Sequence, residues 1–143
     1  MWTLLKNAQI YTPKPIAQRD VLLVGERIAA LGNNLELPSY VQGEVFDLQG
    51  HYLVPGFIDA HVHICGGGGE AGPSSRTPEV QLSQLTRAGI TTVVGCLGTD
   101  SISRSMEELL VKANALEEEG LTSYVYSGGY QADRLIFDNL RKD

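Results

Sequence analysis

Apolar and polar residues alternate in short runs along the first part of the chain: Thr3 to Tyr11, Asp20 to Leu31 with an interruption near Gly25, Glu44 to Leu48, and His51 to Val54 beyond Gln49-Gly50. Runs this short, divided by turn residues, predict a β-rich segment over residues 1–56. The stretch Ile10-Tyr11-Thr12-Pro13-Lys14-Pro15 predicts a loop, because proline lacks a ladder donor and biases the residue before it away from helix. From Phe57 the texture becomes strand, helix, strand, helix, strand, the alternation expected of parallel βαβ units over 57–130. Residues 131–143 form a polar, weakly patterned tail.

Within the second region each element has its own signals. The run Phe57 to Ile64 predicts a strand with two unlike faces: Ile58, Ala60, Val62 and Ile64 on a packing face, and Phe57, Asp59, His61 and His63 on the other. A helix is predicted over Pro78 to Ala88, with Thr77 as N-cap, Pro78 in the first turn and Gly89 as the stop. Ile90 to Leu97 is apolar and β-branched, as suits a strand buried on both faces. The spacing Ser105-x-x-Glu108 predicts a second helix start, and Met106, Leu109, Leu110, Ala113 and Leu116 then recur at helical spacing up to Gly120. Leu121 to Ser127 predicts a third strand.

The chemistry concentrates at the ends of these strands. His61 and His63 lie two residues apart on one strand, so both imidazoles face the same side, where a divalent metal can be gripped. Two ligands do not complete a catalytic zinc site, and Asp59 reads as a supporting carboxylate rather than a ligand. The run Gly66-Gly67-Gly68-Gly69-Glu70 reads either as a flexible loop or as a loop that wraps a substrate, with Glu70 facing a cationic group. Thr99, after the second strand, is suited to hydrogen-bond a carboxylate, and Tyr130, after the third, to donate to a developing oxyanion. Taken alone, each is more often a cap or turn residue. Cys65 and Cys96 read as packing residues, His51 as a surface residue, and Glu117-Glu118-Glu119 as a solvated helix end.

Composition narrows the classes. The formal charge of −6 over 143 residues comes without basic runs, which argues against nucleic acid and anionic membrane as partners. No apolar stretch approaches the roughly 20 residues of a membrane span, and Met1-Trp2-Thr3-Leu4-Leu5-Lys6 lacks the pattern of a signal peptide. Two cysteines without CxxC spacing are expected to be reduced, and the cytoplasm is the expected location.

The run Pro55-Gly56-Phe57-Ile58-Asp59-Ala60-His61-Val62-His63 resembles the metal-binding opening of the amidohydrolase superfamily. Its continuation, through Gly66 to Gly72, Arg76-Thr77-Pro78-Glu79, Gly89 to Gly95 and Leu97-Gly98-Thr99-Asp100-Ser101, resembles the isoaspartyl dipeptidases, also called β-aspartyl peptidases. The likeness runs from about residue 3 to Tyr130. It implies an α/β fold in which an N-terminal β-rich half-sandwich is followed by about three βα units of a TIM-like (β/α)8 barrel. It also implies hydrolysis of β-aspartyl dipeptides at a binuclear zinc centre, where metal makes a nucleophile available near neutral pH. On this resemblance His61 and His63 bind metal, Glu70 and the backbone near Gly68 meet the substrate's α-amino end, Thr99 helps hold its α-carboxylate, and Tyr130 assists catalysis. Members of the family tend to form homo-oligomers.

The family completes its site with a carboxylated lysine, two further histidines and an aspartate from later strands. A barrel of this kind needs about 250 residues, so the expectation is a truncated, catalytically incomplete N-terminal portion. Two alternatives stand beside it: a noncatalytic metal-binding or assembly module, and a dihydroorotase-like cyclic amidohydrolase, against which the GGGGE loop argues.

Overall fold

The computed structural model describes residues 1–100 and 103–129 as a mixed α/β chain that divides into two units between Pro55 and Gly56. In the first, β1 (Trp2–Thr12), β2 (Lys14–Val24) and β3 (Arg27–Gly32) pair antiparallel, while β4 (Gly43–Asp47) and β5 (Tyr52–Leu53) both run parallel to β1. The sheet order is β3-β2-β1-β4, with β5 also on β1. Ala8, Ile10 and Val21 are its buried centre, packed by Leu5, Leu23, Leu48 and Leu53.

The loop expected over Ile10 to Pro15 is instead a tight reversal at Pro13, with Thr12 paired to Lys14 and Tyr11 to Pro15. Pro15 is tolerated because β3 pairs only with Asp20 to Val24, so the start of β2 has a ladder on one side alone. A register shift in β1 leaves Asn7 with φ 57°, and two carboxylates, Asp20 and Asp47, take up its backbone and side-chain donors. The Asn7 N–H donates to Asp20 Oδ1 at 2.8 Å, and the Leu35 N–H donates to Asp20 Oδ2 at 2.9 Å. The Asn7 side-chain amide donates to Asp47 Oδ1 at 2.8 Å. That amide, seconded by the Gln49 N–H, holds the Asp47 carboxyl below its ordinary range.

In the second unit β6 (Phe57–Val62), β7 (Ile90–Gly95) and β8 (Thr122–Val125) form a parallel sheet in that order. The crossovers carry α1 (Leu82–Arg87) and α2 (Met106–Glu118). Ser105 caps α2, its Oγ accepting from the Glu108 N–H at 3.2 Å. Of the expected stripe, Met106, Leu109, Ala113 and Leu116 pack against Ile64, Leu85, Val93 and Leu121, while Leu110 is only half-buried. Full burial of each large side chain contributes about 1.5–3 kcal/mol, whereas the ion pair from Lys112 of this helix to Glu79 of the segment before α1, at 3.3 Å with Glu79 exposed, contributes at most about 1 kcal/mol. Apolar burial therefore holds α2.

Three expectations are corrected here. The first helix starts at Leu82 rather than Pro78, because residues 77–80 pair with the glycine loop: Thr77 N donates to Gly67 O at 2.9 Å and Val80 N to Ile64 O at 3.0 Å. Gln81 then caps it reciprocally with Gln84, and Gly89 ends it as expected. The first strand ends at Val62, not Ile64, and only Val62 and Ile64 of its apolar face pack on the core. Ile58 is 69% exposed, since no described element covers that end of β6. The third strand is shorter than expected, Thr122–Val125 instead of Leu121 to Ser127.

Asp20, only 5% exposed, satisfies two backbone N–H groups at once. Asp20→Ala is expected to destabilise the first unit by about 1–3 kcal/mol, the cost of leaving buried donors unpaired. Chemical denaturation checks it; an unchanged midpoint would show that the Asn7 irregularity is held by something else.

Candidate metal centre

Parallel pairing of β6 and β7 brings the ends of the two strands together. Val62 sits opposite Gly95, and the Cys96 N–H donates to Val62 O at 2.9 Å. Residue 96 is thereby placed beside residue 63. The His61 and His63 rings stand edge to face, their centroids 5.3 Å apart and their planes at 88°. His63 Nδ1 lies 3.3 Å from Cys96 O and 3.5 Å from Cys96 Sγ. One nitrogen from each histidine and Cys96 Sγ all fall within 4.8 Å of one another.

Two glycines leave room for the His63 ring. A Cβ on Gly67 would sit 3.2 Å from His63 Cβ, Cγ and Cδ2, and one on Gly98 would sit 3.5 Å from Nδ1. His61 is more exposed, with the Tyr126 ring centroid 6.4 Å away and the Tyr126 hydroxyl donating to Ala60 O at 3.0 Å. Asp59, expected to support the histidines, accepts from the His61 backbone N–H at 3.1 Å. Burial, seconded by the Asp59 charge, pushes the Cys96 thiol above its ordinary range. Burial likewise raises Cys65, to about 11, and that residue is part of the core.

The glycine run is a built loop. Thr77 Oγ1 receives the Gly67 N–H at 2.8 Å, and Ser75 Oγ receives the Gly69 N–H at 3.2 Å. Gly66 and Gly68 have φ of 90° and 72°, and a Cβ at either would collide with backbone, at Thr77 O and Ser75 O respectively. Arg104, 7% exposed, ties the loop down: Nε donates to Cys65 O at 3.0 Å and Nη2 to Thr77 O at 3.1 Å. Glu70 then meets Thr99, whose hydroxyl donates to Glu70 Oε1 at 2.8 Å. Glu70's own backbone N–H, then Thr99, then the His63 charge keep this exposed carboxyl below its usual range. Beside the pair lies a cleft of about 380 Å³ lined by Gly68, Gly69, Arg76, Thr99, Asp100 and Ser103 among others. The Arg76 guanidinium pairs with Asp100 at 3.1 Å and donates to Ser103 Oγ at 2.7 Å.

The structure thus brings His61 to His63, and Glu70 to Thr99, with Gly68 in the loop between. Tyr130 lies outside the described residues. Cys96 is corrected: it follows β7 rather than lying within a buried strand, and its sulfur faces a histidine. Sequence reading also missed Arg104 and Tyr126. The usable signal for Cys96 and Tyr126 was position, since both follow a strand on the side where parallel α/β sheets carry their sites. Two imidazoles with a thiol nearby are a donor set suited to zinc and other borderline ions.

Residues 44–99 match the model of an amidohydrolase family. A solved β-aspartyl dipeptidase from Fervidobacterium islandicum AW-1, in complex with β-Asp-Leu dipeptide, superposes with a TM-score of 0.85 at 43% identity. That match covers 96% of this chain and 36% of the dipeptidase. A dihydroorotase of Halalkalibacterium halodurans is 33% identical over 122 residues, which is 85% of this chain and 27% of that protein. A D-hydantoinase (dihydropyrimidinase) from a Thermus species superposes with a TM-score of 0.57 at 25% identity, over 87% of this chain and 27% of its own.

Two outcomes follow from the geometry. Gly67→Ala is expected to displace the His63 ring and weaken zinc affinity about tenfold, the lower end for loss of a group that orients a ligand; isothermal titration calorimetry with unchanged affinity would contradict this. Thr99→Val is expected to raise the Glu70 pKa, so that its carboxyl protonates at higher pH on acidification. Carboxyl carbon NMR reads the titration, and an unmoved curve would mean that the Thr99 hydroxyl does not stabilise the carboxylate.

Proposed function

From the premise that this chain belongs to the amidohydrolase superfamily, we propose that its β6–β7 strand ends are the opening part of a metallohydrolase site acting on β-aspartyl dipeptides. The observation that carries the reading is the joint placement of the His61–His63 pair and the Glu70–Thr99 pair around one glycine loop. The 43% identity to a dipeptidase holding β-Asp-Leu supports the same substrate class. On this reading the three parallel strands and their helices are the first βα units of a (β/α)8 barrel, and the chain itself is a catalytically incomplete portion.

His61 and His63 would hold a metal ion, zinc by its preference for imidazole. When bound, such an ion would supply Lewis-acid chemistry and a nucleophile near neutral pH. The remaining roles belong to the chain. Glu70, already favoured in its charged form, receives the substrate's α-ammonium together with the backbone near Gly68. Thr99 exchanges its bond to Glu70 for one to the α-carboxylate. Tyr130 is assigned to donate a hydrogen bond to the developing oxyanion.

Cyclic amides are the second reading, favoured by the 33% identity to a dihydroorotase. Dihydroorotate offers no α-ammonium to Glu70, so the two substrates are separable. With zinc present, β-Asp-Leu is expected to shift the amide NMR signals of Gly68, Glu70 and Thr99 more than dihydroorotate does. The opposite order would favour the cyclic amide, and silence toward both would overturn the site. Leucine release by the chain is expected to be negligible, since among the described residues the only clustered metal donors are His61, His63 and Cys96. Zinc-dependent release, lost in His61→Ala, would refute the incompleteness.

A further inference from the structure

We propose that Cys96 is a third metal donor, giving this chain a His61/His63/Cys96 set that combines two imidazoles with a thiolate. The inference rests on the reading of the histidine pair as a metal site and adds a ligand that the paired-histidine motif does not contain.

Three observations carry it. The first is separation. With Zn–N near 2.0–2.1 Å and Zn–S near 2.3 Å, a tetrahedral ion sets its nitrogen and sulfur ligands roughly 3.6 Å apart. His63 Nδ1 and Cys96 Sγ stand 3.5 Å apart, and the His61 donor lies within 4.8 Å of both. The second is origin. The sulfur is delivered by backbone pairing, since the Cys96 N–H is bonded to Val62 O between the two histidines, so its place is tied to the fold. The third is surroundings. Gly67 and Gly98 present no side chain to His63, which leaves the ring beside Cys96 with Nδ1 3.3 Å from its carbonyl oxygen and 3.5 Å from its sulfur.

The chemistry is distinct from that of imidazole and carboxylate donors alone. On binding, the thiol loses its proton to solvent and its sulfur forms the metal bond, so uptake releases one proton for this ligand. Three protein donors leave a fourth position open for water or substrate. A thiolate biases the set toward zinc, cobalt and cadmium and away from magnesium and manganese. Cys65, the other free thiol, belongs to the core cluster and takes no part.

The test is cobalt(II) loading of the 143-residue chain, read by absorption spectroscopy. A near-ultraviolet sulfur-to-cobalt charge-transfer band is expected in the wild type and in Cys65→Ser. It is expected to be absent in Cys96→Ala and Cys96→Ser, while the visible cobalt bands persist and far-ultraviolet circular dichroism stays unchanged. Visible bands that depend on His61 and His63, with no sulfur band in the wild type, would overturn the third donor and leave the histidine site standing. No cobalt binding at all would overturn both. A sulfur band that survives loss of Cys96 would assign the sulfur elsewhere and overturn the proposal. X-ray absorption of the zinc-loaded wild type decides independently of any variant: one sulfur at about 2.3 Å supports the set, and nitrogen and oxygen scatterers alone refute it.

Discussion

The register between β6 and β7 is the constraint on which the site depends. Parallel strands carry evenly spaced, slanted hydrogen bonds, but this ladder shifts register between Phe57 and Ile58 and again between Asp59 and Val62, so the Val62–Gly95 pairing alone sets the strand ends. Here the bond from Cys96 N to Val62 O puts the end of β7 against the segment between His61 and His63. A slip of one residue would turn the histidines to the opposite face and part them from Cys96. What holds the register is burial on the helix side: Ile64 and Val93 are fully buried with Leu109 and Leu116 of α2, each contributing on the order of 1.5–3 kcal/mol.

The glycine loop depends on the same packing from another direction. Residues 64–69 leave the strand end and are pinned by Thr77, Ser75 and Val80, which draws residues 77–80 away from helical geometry. Arg104 spans both sides of this junction, bonding Cys65 O and Thr77 O. Its burial is sustained by these carbonyls and by Asp100 Oδ2, 3.9 Å from Nη1. An arginine just ahead of the α2 N-cap thus fixes a loop that presents Glu70 to Thr99. The order of causes runs from core packing, to register, to loop, to the pairing of acid and hydroxyl.

Local periodicity made part of this legible from sequence. The α2 cap at Ser105 and the stripe of Met106, Leu109, Ala113 and Leu116 depend on residues three and four apart, and both appear where expected except that Leu110, also expected in the stripe, is only half-buried. The His61–His63 pair was accessible by its spacing, although β6 ends at Val62 and His63 lies just beyond the strand. What escaped depends on partners distant in sequence. Cys96 meets His63 across 33 positions, through a ladder whose register no local pattern states. Thr77 carries every signal of an N-cap, and the Gly67 backbone claims it first. Ile58 has the parity of a packing residue, and it is exposed because nothing described covers that end of the edge strand.

The central claim is that the β6–β7 strand ends hold a metal ion through the histidine pair. Anomalous diffraction at the zinc edge, from crystals of the chain grown with zinc, tests it most directly. The account predicts a single strong peak about 2.0–2.1 Å from one ring nitrogen of His61 and one of His63. A zinc-loaded crystal with no peak there, or with its peaks confined to exposed carboxylates such as Glu117 and Glu118, would contradict it.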